Sequence, residues 1–253
     1  MKIDAVVLAG GDAQKVDASF EGPKSLINIA GQPMIEYVLE ALRQSSSLDR
    51  IAIALPADTD KLVFKNISGQ IIPDTHGVVD AMSKAVEAFG DEGYLMAVSS
   101  DVPMINAEVI DAFIKKCEEK PGDIYYTIIP KDVMEDAYPG SKRTYFRVYE
   151  GAFTGGNVHM IKKTTFVENS GLAEQIFSMR KSPLSLIRLL GVAFLIKFAL
   201  GRLKIGSIED KAGKAFSAKV RTVTMLHPEL GVDVDKPEDL ALAESHIGKK
   251  STT

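Results

Sequence analysis

The feature that most constrains this chain is the alternation of two hydrophobic periods over its first 130 residues. Residues 3–9 form an apolar run with β-branched side chains, as a strand covered on both faces of a parallel sheet requires. Pro33 then opens a helix. Met34, Ile35, Val38, Leu39 and Leu42 recur there at helical spacing, while Glu36, Glu40 and Arg43 fall elsewhere. Residues 50–55 read as a second strand and 70–73 as a short third. Val79, Met82, Val86 and Phe89 share one face of a helix over 78–89. Residues 94–98 are again fully apolar. Asn106 is placed to cap a helix through Val109, Ile110, Phe113 and Ile114, and 123–129 is a further strand. This order predicts an α/β fold: a doubly wound, mostly parallel, Rossmann-like sheet with right-handed crossovers.

Past residue 130 the alternation changes. Residues 132–143 read as polar and turn-rich. Residues 144–149 and 156–161 read as two strands around a turn at 151–155. Residues 162–213 look mostly helical, 220–226 returns to strand, and a helix is expected over 236–247. The expected organisation is one domain over 1–247, with 163–215 as a mostly helical insertion and 248–253 as a frayed tail.

Composition narrows the classes. With 45% hydrophobic and 25% charged residues the chain is neither disordered nor a plain coiled coil. A net charge of −4 speaks against a general nucleic-acid binder. The single cysteine, Cys117, excludes an intramolecular disulfide and an all-cysteine metal site, and fits a cytoplasmic protein. His76, His159, His227 and His246 show no zinc spacing. Asp4 and the shortness of the first apolar run argue against a signal peptide.

Several residues can carry chemistry. The first strand ends in Leu8-Ala9-Gly10-Gly11, where two glycines let backbone approach a ligand and amide N–H groups can cradle an anion. Its position matters, because ligands in open α/β sheets bind at the carboxyl ends of strands. Lys15 and Lys24 follow, and a loop can bring both cations to a polyphosphate or leave both as solvated surface lysines. Asp101 follows Ser99 and Ser100 at the end of a strand, where a carboxylate is a hard ligand for Mg²⁺ or simply a turn residue before Pro103. Asp233 and Asp235 share strand parity. Asp235 can also cap the last helix, with Glu238 completing a capping box.

The ordered set Leu8-Ala9-Gly10-Gly11, Lys15, Lys24 and Gly31-Gln32-Pro33-Met34-Ile35 resembles the opening of the MobA-like nucleotidyltransferases. These are relatives of molybdenum-cofactor guanylyltransferase, sugar-phosphate nucleotidyltransferases and adenosylcobinamide-phosphate guanylyltransferases. Ser100-Asp101-Val102-Pro103 is similar to their metal-binding motif, and residues 234–240 to their C-terminal motif. The resemblance covers about residues 3–105 and 220–245. It implies a GT-A-like nucleotidyltransferase fold and transfer from an NTP to a phosphorylated acceptor, with Mg²⁺ and pyrophosphate release. By position it implies that Gly10 and Gly11, flanked by Leu8 and Ala9, cradle the nucleotide together with Ser100. Lys24 and Lys15 would neutralise phosphates, and Asp101 with Asp235 or Asp233 would hold the metal. Gly155, Gly156 and Asn157 resemble an acceptor segment. Lys15 stands where the family signature carries arginine, keeping the charge and losing the bidentate fork.

Two other readings stay open: a nucleotide-sugar glycosyltransferase using Asp233-Val234-Asp235 as a D-x-D motif, and a non-catalytic nucleotide-binding protein on the same fold. Residues 180–208 contain six Lys or Arg and no Asp or Glu. The uncharged stretch 189–196 is far below the roughly 20 residues that span a bilayer. A core or dimer-interface helix pair, a surface-lying amphipathic helix on anionic lipid, and a basic lid over an anionic acceptor are the alternatives for this segment.

Overall fold

The computed structural model describes residues 1–57, 59, 70–179 and 191–250. The chain runs through β1 (Ile3–Leu8), a hairpin of β2 (Asn28–Ile29) and β3 (Gln32–Pro33), α1 (Met34–Gln44), β4 (Arg50–Pro56) and β5 (Gln70–Thr75). It continues through α2 (Val78–Phe89), β6 (Tyr94–Ser99), α3 (Ala107–Glu119), β7 (Ile124–Pro130) and α4 (Lys131–Ala137). Then come β8 (Phe146–Val148), β9 (Gly151–Gly155), β10 (Val158–Lys162) and α5 (Lys163–Met179). The last elements are α6 (Val192–Ala199), α7 (Ile205–Phe216), β11 (Val220–Thr224) and α8 (Pro237–Lys250).

The main sheet has the order β5-β4-β1-β6-β10-β7-β9-β8, with β11 added to β7. Its first four strands are parallel. β10 enters antiparallel between β6 and β7, while β11 runs parallel to β7. The result is a mixed, mostly parallel α/β sheet. Ile3, Ala5 and Val7 of β1 face one core with α1, α3 and α8; Val6 faces a second core with α2 and Phe166 of α5. Both faces are covered, which is why the strand reads as a continuous apolar run. Asn106 caps α3, its side chain accepting from the Val109 N–H at 3.0 Å.

Three local expectations are corrected, and one short element is added. Residues 151–155 form a strand, β9, and the turn lies at Tyr149 and Glu150, because Val148 pairs with Gly151 at φ 147°. Two terminal glycines disguise β9, although its Phe153 is buried. The region 132–143 begins with α4, which buries Met134 behind a Pro130 cap. The β2–β3 hairpin was hidden in six residues, its turn made by Ala30 and Gly31 at positive φ. Finally, α8 runs to Lys250, three residues past its expected end at 247. Residues 180–190 of the basic segment and 251–253 of the expected tail lie outside the described residues.

Asp4 is the polar exception within β1. It is fully buried and pairs bidentately with Arg50 at 2.8 and 2.7 Å and with the buried Lys163 ammonium. Burial pushes its carboxyl up, but the two cations outweigh this and hold it below the ordinary carboxylate value.

His159 of β10 stacks on Tyr126 of β7, ring centroids 4.5 Å apart, and its Nδ1 accepts the Thr127 N–H at 3.3 Å. Burial pushes the imidazole down to about 4. The unfolded chain therefore binds this proton more tightly, so stability falls as pH drops from about 6.5 towards 4. Denaturant titrations across that window are expected to show this slope in the wild type and a shallower one in His159→Phe. Equal slopes would remove His159 from the account.

Candidate active site

Three segments distant in sequence meet at the carboxyl ends of β1 and β6. The Ser100 N–H donates to the Leu8 carbonyl at 3.3 Å and holds the ends of β6 and β1 side by side, while the Ala9 N–H donates to the Ala54 carbonyl at 3.0 Å and ties β1 to β4. The Val234 N–H donates to the Asp101 carbonyl at 2.9 Å and brings the C-terminal segment alongside. Val232 and Val234 are buried in the core, so Asp233 and Asp235 project from the opposite side.

Lys24 sits at the centre. Its Nζ donates to Asp101 Oδ2 at 2.7 Å and to Asp235 Oδ1. The side chain is only 4% exposed, so this ammonium depends on the carboxylates rather than on water. Burial opposes its charge, yet Asp101 and Asp235 hold its pKa above the ordinary lysine value. On the far side of Asp101, Ser99 Oγ donates to Oδ1 at 2.5 Å. Asp235 is held below its ordinary value against its own burial, chiefly by Lys24. Beside it, Asp239 Oδ2 accepts the Asp235 N–H at 3.2 Å, tying this residue to the first turn of α8.

The glycine pair and Lys24 form one construction. Gly11 adopts φ +116°, and a Cβ there would lie 2.8 Å from Lys24 Cδ. Only glycine both makes the turn and leaves room for the lysine stem. Gly11→Ala is therefore expected to lower unfolding free energy by about 1–3 kcal/mol. Chemical denaturation measures this, and an unchanged midpoint would show that Lys24 packs elsewhere.

Arg143 escaped the sequence reading. It reaches from the segment after α4 to Asp233 Oδ1 and to Asp239 Oδ1 at 2.9 Å, and its side chain is 7% exposed. Asp233 is pushed up to about 6, first by burial and then by the charge of Asp101, with Arg143 opposing. Nothing in a polar, turn-rich stretch marks an arginine that returns to a carboxylate 90 residues later.

The other named residues are distributed differently. Lys15 is exposed and pairs with Asp12 at 3.6 Å, apart from the Lys24 cluster. Gly10 is exposed, and a Cβ on it would meet only Pro56 Cγ, at 3.8 Å. Gly155 and Gly156 are packed tightly: a Cβ would come 2.9 Å from the Tyr126 hydroxyl and 2.7 Å from Thr127 Cγ2, respectively. The Asn157 side-chain amide donates to the Leu230 carbonyl at 3.1 Å, and the Asn157 backbone carbonyl accepts the Ser99 N–H at 3.1 Å. Ser100 Oγ is buried with no hydrogen-bond partner among the described residues. A groove of about 700 Å³ opens beside the cluster at Leu8, Ser99 and Asn157 and follows the sheet face.

The donor chemistry suits a hard divalent cation. Asp101 and Asp235 converge on one ammonium, and Asp233 stands close enough for its titration to feel both. Among the described residues no three acidic, histidine or cysteine side chains form a ready-made metal cage. Mg²⁺ does not require one, since it usually takes one or two carboxylates and completes its shell with water and phosphate oxygens.

Comparison with known proteins places this geometry in context. The model of the MobA-like NTP transferase domain matches residues 5–162. The 8-amino-3,8-dideoxy-manno-octulosonate cytidylyltransferase of Shewanella halifaxensis is 22% identical over 240 residues, covering 88% of this chain and 91% of its own. The molybdenum cofactor guanylyltransferase of Shewanella sediminis is 24% identical over 127 residues, with 49% of this chain and 61% of its own covered. Among solved structures, a hypothetical transferase from Thermus thermophilus is 33% identical with a TM-score of 0.84, covering 95% of this chain and all of its own. A CMP:2-keto-3-deoxy-manno-octonic acid synthetase solved with CTP shares the fold at a TM-score of 0.59 and 14% identity, covering 99% of this chain and all of its own.

Proposed function

The chain belongs to the MobA-like NTP transferase family and is an enzyme of the nucleotidyltransferase class, and from this premise we propose that it joins an NTP to a phosphorylated small-molecule acceptor with release of pyrophosphate. The observation that supports this most is Lys24 held between Asp101 and Asp235 at the strand ends, beside the Gly10-Gly11 turn. Transfer at an α-phosphorus asks a protein for positioning and charge neutralisation more than for a nucleophile. The cluster offers both.

In this reading the backbone of residues 8–11 receives the nucleotide phosphates, and the Lys24 ammonium turns from the carboxylates to the phosphates. Lys15 reaches the outer phosphates from its exposed turn. Asp101 and Asp235, with Asp233 behind them, hold Mg²⁺, which when bound supplies charge neutralisation on the phosphates. Ser99 fixes the Asp101 carboxylate. The β9–β10 junction at Gly155, Gly156 and Asn157 faces the acceptor, and the neighbouring groove gives it room. CTP and GTP are the first nucleotides to try, given the cytidylyl and guanylyl transfer named for the two relatives.

The test is pyrophosphate release from CTP, GTP, ATP and UTP against sugar phosphates, cofactor phosphates and the unphosphorylated 3-deoxy-manno-octulosonate. One nucleotide with a phosphorylated acceptor is expected to release pyrophosphate in step with product. Release only with the unphosphorylated sugar acid would overturn the acceptor class, and no release with any pair would overturn the reading.

A further inference from the structure

α6 is apolar on two sides. Its inner side packs against the protein: the Phe198 ring stacks on Phe146 of β8 at 6.3 Å between centroids, and Lys211 of α7 lies 5.5 Å from the centre of the Phe194 ring. The outer side carries Val192, Ile196 and Leu200, four residues apart and therefore in one stripe, exposed by 60, 54 and 61%. A helix on the surface of a water-soluble domain places polar side chains on that side.

The charges on the chain segment that carries the stripe have one sign. Lys197, Arg202 and Lys204 are exposed, and Arg147 packs beneath Gly201. Tyr149, 69% exposed, lies under the Lys204 ammonium at 5.2 Å. No acid occurs in residues 180–208. The adjoining acid, Glu150, is engaged at the start of α7, both its oxygens 3.1 Å from the Ile205 nitrogen. Residues 180–208 carry six positive charges in a chain of −4, so the rest carries −10. Of those six, Lys197, Arg202 and Lys204 lie among the described residues, and an anionic surface would attract them, which favours one orientation of approach.

We propose that the protein docks on an anionic lipid surface through α6, with Val192, Ile196 and Leu200 entering the headgroup boundary and Lys197, Arg202 and Lys204 pairing with lipid phosphates. A second copy of the chain fits less well, because a two-fold contact apposes the patch to itself and sets like charges together. Among the described residues no helix is long and apolar enough to cross a membrane, so the contact is superficial. The inference does not depend on the acceptor. It predicts only where the enzyme works.

Sedimentation of the full chain with vesicles of phosphatidylcholine, with and without phosphatidylglycerol, tests this. Binding is expected to require phosphatidylglycerol and to weaken with salt. Ile196→Glu/Leu200→Glu is expected to abolish pelleting. Lys197→Gln/Arg202→Gln is expected to weaken binding about 25-fold, at about fivefold per basic residue removed. The unfolding midpoints of both variants should match the wild type, because the side chains are exposed. Failure to pellet with phosphatidylglycerol, or pelleting that both variants preserve, would overturn the proposal. So would a lipid-independent dimer that Ile196→Glu/Leu200→Glu dissociates.

Discussion

Asp101→Asn is expected to lower kcat about 10²–10³-fold while leaving the fold intact. The substitution keeps the shape of the side chain and a carbonyl oxygen for the Ser99 hydroxyl. It removes the charge that faces Lys24 at 2.7 Å and that would hold the metal against the phosphates. Ser99 and the Val234–Asp101 backbone bond keep the loop in place, so the loss falls on chemistry rather than on structure. Steady-state pyrophosphate release, read beside a denaturation curve, separates the two. A variant as active as the wild type would remove Asp101 from the reaction.

Asp4→Ala is expected to lose about 3–5 kcal/mol of unfolding free energy, which for a chain of this size means a Tm lower by roughly 10 °C. The reason is Lys163. Its ammonium is fully buried, and Asp4 is the carboxylate paired with it. Arg50 can turn towards water because it is 41% exposed, whereas Lys163 cannot. The double variant Asp4→Leu/Lys163→Met is expected to recover much of the loss, since replacing a buried pair by apolar groups is often close to neutral. The Asp4 carboxyl is held below its unfolded value, so the stabilisation is fully present above about pH 4 and fades as pH falls through the folded value. A fall of less than about 1 kcal/mol in Asp4→Ala would show that Lys163 finds another partner.

These two carboxylates mark what can be read from a sequence and what cannot. β1 was legible because a strand covered on both sides needs an unbroken apolar run, and α1, α2 and α3 because each buries one stripe. Asp4 appeared only as a blemish in that run. Its value lies in Lys163, 159 residues away, and no local pattern couples the two. β9 was missed because its two glycines imitate a turn, and the β2–β3 hairpin because two-residue strands leave no periodicity. In the candidate site, Lys24, Asp101 and Asp235 were legible through their order along the chain, and the structure brings them to one point. Lys15 shares that pattern but sits on an exposed turn beside Asp12. Arg143 had no pattern at all, since its partner is set by how α4 and the final segment pack.

The central claim is that the Lys24, Asp101 and Asp235 cluster receives a metal-bound nucleotide. The direct measurement is the shift in unfolding temperature produced by Mg²⁺ with CTP or GTP, in the wild type and in Asp101→Asn. A ligand that binds the folded chain 100-fold above its Kd adds about 2.7 kcal/mol of apparent stability. The wild type is expected to show that rise with at least one of the two nucleotides, and Asp101→Asn to lose most of it. Equal shifts in the two proteins would place the nucleotide elsewhere and contradict the account.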